Sequence, residues 1–302
     1  HSVHSCGKIG LSRKTEGFIM IEALQVKGLT KIFPDFSLDN ISFSVPAGSI
    51  MGLIGPNGSG KTTTIKLILN LLKKQSGTIT VLGFDHIREE QKFKERTGVV
   101  FDTHFFVDEW KMADVEKAMG MFYENWDTEI YYKYLEQFQI NRNKSVMELS
   151  KGMQMKLMLA CSFSHKAELL ILDEPTSGLD PVSRDELLDI LLAYTKDKRQ
   201  TVLFSTHITP DLNKVADSIT FINRGKLLYS GDKEGLTDRY FIVSGNSREL
   251  PPDIKDVTQN IKIYPDSFEA LVSREKLSDL SGLQIRHASI DDIIVFVSKG
   301  EV

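Results

Sequence analysis

Apolar positions along the chain follow two periods. Alternation over residues 21–26 and 41–45 predicts half-buried strands. The unbroken apolar runs 50–54, 169–172 and 202–205 predict strands covered on both faces, as in the middle of a parallel sheet. Residues 62–73 have a helical period, with Ile65, Ile68, Leu69 and Leu72 on one face. Gln75-Ser76-Gly77 stops that helix, and residues 78–82 return as a strand. From about 108 to 146, methionine, aromatic and charged residues recur at helical spacing with almost no strand character, which predicts a helical insertion into an α/β core. The last block, from about 235, contains the turn-rich Gly245-Asn246-Ser247 and Pro251-Pro252. Residues 261–263 and 283–285 alternate there like strands, and residues 289–297 form an amphipathic helix with Ile290, Ile293, Ile294 and Val297 on one face. There is no internal repeat and no sustained heptad run.

A length of 302 residues leaves room for about two domains. The expected division is a main α/β domain at 20–234, with its helical subdomain at about 103–160, and a small C-terminal α+β appendage at 235–302. Residues 1–19 are polar and aperiodic and lack the apolar stretch of about 7–15 residues of a signal peptide. Met20 is the expected natural start, since Glu16-Gly17 can be encoded by a purine-rich ribosome-binding site just upstream; the alternative is a genuine disordered extension. With 41% hydrophobic residues a real core is available, which excludes fibrous and disordered classes. The net charge of −4 gives no electrostatic case for wrapping nucleic acid. Cys6 and Cys161 are far apart, excluding a disulfide framework, and Cys161 reads as a small buried hydrophobe. No apolar run reaches the roughly 18–20 residues of a membrane helix, so a membrane function needs another chain to span the bilayer.

The strongest chemical signal is Gly55-Pro56-Asn57-Gly58-Ser59-Gly60-Lys61-Thr62, which fits GxxxxGK[ST] and stands between a buried strand and a helix. Its glycines let backbone N–H groups turn inward around phosphate oxygens, and the helix N-terminus adds about half a positive charge. Lys61 is expected on the β- and γ-phosphates and the Thr62 hydroxyl on Mg²⁺. The apolar run 169–172 ends in Asp173-Glu174, where Asp173 suits the Mg²⁺ shell and Glu174 suits a general base for water. Ser205-Thr206-His207 ends another apolar strand, placing an imidazole at the same sheet edge.

In this order and spacing the residues resemble the ATP-binding cassette ATPases of transporters, over about 24–232. Leu149-Ser150-Lys151-Gly152-Met153 resembles the family signature LSGGQ, and Ser177-Gly178-Leu179-Asp180 its D-loop, with Asp180 the family's aspartate. The resemblance implies an ABC-type P-loop core with an antiparallel β subdomain and a helical subdomain. It makes His207 the switch histidine, adds Thr63 to the ATP-contacting residues, and puts Phe33 on the adenine, with Phe36 in reserve. Asp102 stands where the family carries the Q-loop glutamine; it can ligate Mg²⁺ but lacks the amide donor. Lys151 and Met153 replace the signature's Gly and Gln, while Ser150 and Gly152 remain.

The family geometry implies ATP and Mg²⁺ as ligands and a second ABC ATPase subunit, identical or paralogous, whose signature closes in trans over each nucleotide. It also implies separate integral membrane permease subunits and a peripheral place on the cytoplasmic face of the membrane. The aromatic-rich 103–110 is a candidate permease contact; the other reading is core of the helical subdomain. Residues 122–127, the LSKGM form, Asp102 and the tail 288–296 resemble ATPase subunits of ABC-2-type exporters of Gram-positive bacteria, which handle peptides, toxins and drugs. A soluble cassette ATPase on ribosomes or DNA, a non-hydrolysing permease regulator and an importer are the alternatives.

Overall fold

The computed structural model describes residues 21–299 apart from 198, 252–253, 255–257, 259 and 280–281. The expected leader, with Met20 and Cys6, lies outside the described residues. The chain opens with strands β1 (Glu22–Ile32), β2 (Ser37–Pro46) and β3 (Ile50–Ile54), then helix α1 (Lys61–Ile68). Next come β4 (Ser76–Val81), β5 (Phe84–Asp85), α2 (Glu90–Lys94) and β6 (Thr97–Val100). Helices α3 (Met112–Phe122), α4 (Thr128–Gln137) and α5 (Lys151–Ser164) precede β7 (Leu169–Asp173), α6 (Pro181–Thr195), β8 (Thr201–Thr206) and α7 (Thr209–Val215). Then follow β9 (Ser218–Asn223), β10 (Lys226–Asp232) and α8 (Lys233–Thr237). The last elements are β11 (Tyr240–Gly245), β12 (Ile261–Ile263), β13 (Phe268–Ser273), β14 (Gln284–His287) and helix α9 (Ile290–Lys299).

Ten strands form one sheet in the order β5-β4-β1-β2-β10-β9-β3-β8-β7-β6. Its two halves follow the two hydrophobic patterns. Strands β3, β7 and β8 are buried at every position and pair in parallel, as continuous apolar runs require. Strands β1, β2 and β4 alternate buried and exposed positions and pair antiparallel. The halves are stitched by a short parallel contact, Lys226 opposite Asp39, where the Asp39 N–H donates to the Gly225 carbonyl at 2.8 Å. Gly225 has φ 74°, and a β-carbon there would fall 1.7 Å from the Ser37 carbonyl oxygen. Only glycine permits this approach.

Helix α1 is shorter than the helical period of 62–73 suggests, because Asn70 takes a left-handed conformation at φ 57°. Leu71 N–H donates to the Lys66 carbonyl at 2.8 Å and Asn70 N–H to Leu67 at 3.2 Å, the paired bonds of a Schellman stop. Leu72 therefore packs beside the helix end.

Helices α3 to α5 form the expected helical insertion, bound together by Val115, Met119, Tyr131, Leu135, Met155 and Met158. Cys161 is buried there, and burial pushes its thiol pKa up, as an inert core residue requires. His165 ends α5 with its ring stacked on Tyr123 at 3.9 Å and its Nδ1 donating to the Glu95 carbonyl at 3.2 Å. Burial pushes its pKa down to about 4. Unfolded histidine titrates near ~6.5, so between those values the unfolded chain binds a proton that the folded chain does not. Stability therefore falls as pH drops through this window. The thermal midpoint should decline already from pH ~6.5 to ~5, above most carboxylate titrations, and His165→Gln should flatten that decline; an equal decline in the variant contradicts the assignment.

The C-terminal strands form a separate antiparallel sheet, β12-β13-β11-β14. One face contributes Ile242 and Leu271, with Ile293 and Phe296 of α9, to the main core; the other holds Val243, Ile254, Phe268 and Ala270 in a small core of its own. The Thr209 hydroxyl donates to Asp291 at the start of α9, so the appendage touches the helix that follows His207.

Candidate active site

The reactive residues gather where β3, β8 and β7 end, because parallel register puts Leu53 opposite Ser205 and Ser205 opposite Asp173. Residues 55–62 leave β3 and curl into α1. Gly55 has φ 153°, and a β-carbon on it would lie 2.1 Å from the Ile222 carbonyl oxygen. The loop is pinned from outside by Gly225 N–H donating to the Ser59 carbonyl at 2.9 Å, and from inside by Thr64 Oγ1 donating to the Gly60 carbonyl at 2.9 Å. Helix α1 begins with no side-chain cap and no acidic residue in its first turn, which leaves its N–H groups and positive end to an anion.

Lys61, 6% exposed, donates to the Gly55 and Pro56 carbonyls at 2.9 and 3.3 Å and pairs with Glu174 Oε1 at 3.2 Å. The other Glu174 oxygen receives His207 Nδ1–H at 2.8 Å. Asp173 accepts from Thr62 Oγ1 at 3.1 Å and from Ser205 Oγ at 2.6 Å, and the Ser205 hydroxyl oxygen accepts the Glu174 N–H at 2.9 Å. Ser205 thus orients both acids, a role the sequence reading missed; a hydroxyl in a strand buried at every position was the available signal. Glu174 sits at φ 49°, a left-handed backbone that a non-glycine residue adopts at a cost and keeps when its surroundings hold it there.

A cavity of about 640 Å³ opens over these groups, walled by Asp35, Phe36, Asn57, Gly58, Ser59, Gly60, Lys61, Thr62, Thr63, Asp102, Glu174, Ser177 and His207, with Asp173 hydrogen-bonded to its Thr62 wall. Gly55 and Pro56 lie beneath Lys61. The residues fit a magnesium triphosphate. The Ser59 hydroxyl is buried without a hydrogen-bond partner, the helix end is uncapped, and Thr62, Asp173 and Asp102 offer hard oxygen ligands around a lysine.

The aromatic in the wall is Phe36, the reserve candidate. Phe33 is not among the lining residues; its N–H closes a turn on the Phe36 carbonyl at 2.7 Å, and its ring lies 6.2 Å from that of Phe36 with the Lys31 ammonium over it. The signature residues are elsewhere. Ser150 caps α5 by accepting the Met153 N–H at 3.3 Å, and Ser150, Gly152 and Met153 line a second cavity of about 460 Å³ against α6. Lys151 is exposed, its ammonium close to Gly178. Asp180 caps α6, accepting from Val182 and Ser183 N–H at 3.0 and 3.1 Å; hydrogen bonds from Ser183 hold its carboxyl below the usual range.

The sequence profile described as "ABC transporter" matches residues 38–177. The chain is 30% identical over 304 residues to Nod factor export ATP-binding protein I of Sinorhizobium fredii, covering 93% of this chain and 87% of that one. It is 31% identical to the bacitracin transport ATP-binding protein BcrA of Bacillus licheniformis, over 69% of each chain. A solved structure titled "Structure of ATP binding subunit of ABC transporter" superposes with TM-score 0.64 at 27% identity, covering 71% of this chain and 91% of that one. The chain belongs to the ABC transporter family, as an ATP-binding and ATP-hydrolysing subunit. Subunits of this class pair and work with membrane permeases. Among the described residues no helix is long and apolar enough to cross a membrane.

Proposed function

We propose that the cavity over residues 55–62 binds Mg·ATP and hydrolyses it as the motor of an exporter, with Glu174 as the base. The observation that carries this is the continuous contact Lys61–Glu174–His207 across the phosphate loop. An incoming triphosphate competes with Glu174 for the Lys61 ammonium. Once Lys61 turns to phosphate, the freed carboxylate oxygen can take a proton from the attacking water. His207 holds the other oxygen through Nδ1–H and serves a phosphate oxygen through Nε2–H when the ring is an imidazolium. Thr62, Asp173 and Asp102 would hold Mg²⁺, which neutralises charge developing on the phosphates. Phe36 replaces Phe33 as the adenine platform, and Thr63 closes the phosphate end.

Ser150 and Gly152 stand apart from their own chain's phosphate loop, so in this reading they serve the nucleotide of a second subunit, with Lys151, Met153 and Asp180 at the same interface. Permease coupling is assigned to an apolar groove of about 670 Å³ lined by Phe105, Phe106, Trp110, Met119, Phe122 and Tyr123. Phe106 is buried, whereas Phe105 and Phe122 are 54% and 74% exposed, so the aromatic segment serves both core and surface. Export is supported by the relative named for Nod factor export, and transport by the relative named for bacitracin transport. Residues 20–234 are assigned to the motor and 235–302 to the appendage. The tagged protein, purified in detergent from its host's membranes, should carry an integral membrane polypeptide and show Mg·ATP hydrolysis. Recovery wholly with ribosomes or DNA contradicts the transport reading.

A further inference from the structure

Two segments that carry the cavity's reactive groups, and the first turn of α6, meet at one buried carboxylate. Asp211 lies inside α7 and is 0% exposed. One of its oxygens accepts from the Thr176 hydroxyl at 2.6 Å; the other pairs with Arg184 Nε. Thr176, 1% exposed, stands two residues after Glu174 and directly before Ser177, which lines the nucleotide cavity. Arg184 lies in the first turn of α6, where its N–H donates to the Asp180 carbonyl at 3.0 Å. Helix α7 itself starts two residues after His207.

A buried carboxylate is costly unless paired and fully hydrogen-bonded, and packed apolar residues would join these elements at less cost. What the polar trio adds is geometry, because hydrogen bonds fix direction where apolar contacts do not. Geometry is what this turn needs. Glu174 is held at φ 49°, with its N–H on Ser205. The Thr176–Asp211 bond is the next restraint along the loop, and it runs to the same short helix that follows His207.

We infer that Asp211 is a positioning residue for ATP hydrolysis. Through Thr176 on one side and α7 on the other, it keeps Glu174 and His207 in register across their 2.8 Å contact, while Arg184 balances its charge. The inference rests on the roles proposed above for Glu174 and His207.

Thr176→Val removes only the hydroxyl and keeps the shape of the side chain. In the full chain it should lower kcat about 10–100-fold, as expected for a misplaced base, while KM for ATP stays at the wild-type value. Asp211→Asn should do the same, and Thr176→Ser should restore wild-type kcat. A purely structural role would lower the melting temperature and leave kcat per folded molecule unchanged. Wild-type kcat in both Thr176→Val and Asp211→Asn, beside an inactive Glu174→Gln, overturns the inference alone. Wild-type turnover in Glu174→Gln as well overturns the reading of the site beneath it.

Discussion

Replacing Glu174 with Gln should leave Mg·ATP binding intact and cut turnover about 10²–10⁴-fold, the usual contribution of a positioned base. At 1.36 kcal/mol per tenfold this is about 3–5 kcal/mol of transition-state stabilisation. The substitution keeps size and shape, and the backbone N–H that donates to Ser205 is untouched. It removes the proton acceptor and the Lys61 ion pair. Freed from Glu174, Lys61 is fully available to phosphate, so affinity should hold or rise and two chains closed on nucleotide should accumulate. Phosphate release, measured beside sedimentation with and without ATP, reads both effects. Near-normal hydrolysis would remove Glu174 from the role of base.

Lys61→Ala should strike the step before. The ammonium supplies charge-assisted hydrogen bonds to phosphate oxygens, worth about 1.5–3 kcal/mol each, so affinity should fall about 10–100-fold. The surroundings sharpen the loss. Asp35, Asp102 and Glu174 face the cavity with Asp173 behind them, and without Lys61 these carboxylates meet a triphosphate unscreened. Fluorescence anisotropy of a labelled ATP analogue with Mg²⁺ measures the change, and unchanged affinity would contradict the phosphate role of Lys61.

Much of this site was legible along the chain because each reactive residue ends or follows an apolar strand. Runs buried on both faces must lie side by side, and parallel pairing brings residues 55–62, Asp173, Glu174 and His207 to one edge. What the pattern does not encode is the course of a turn. Phe33 and Phe36 are equally apolar, and the hydrogen bond between Phe33 N–H and the Phe36 carbonyl goes with Phe36 in the cavity wall. The stop of α1 at Ile68 was hidden for a similar reason: Leu69 and Leu72 continue a helical period, but Asn70 accepts a left-handed backbone more readily than most residues. Ser205 and Asp211 escaped notice because their roles depend on partners 31 and 35 positions away. In the appendage, β12 and β14 were marked by alternation, whereas β11 shows as a strand only through its antiparallel partners β13 and β14.

The central claim is that residues 55–62 grip a triphosphate beside Asp173 and Glu174. Calorimetric titration of the purified wild-type chain with Mg·ATP tests it most directly. One saturable site per chain is expected, weakened when Mg²⁺ is chelated and weakened about 10–100-fold in Lys61→Ala. Absence of binding at millimolar Mg·ATP, or equal binding by wild type and Lys61→Ala, would contradict it.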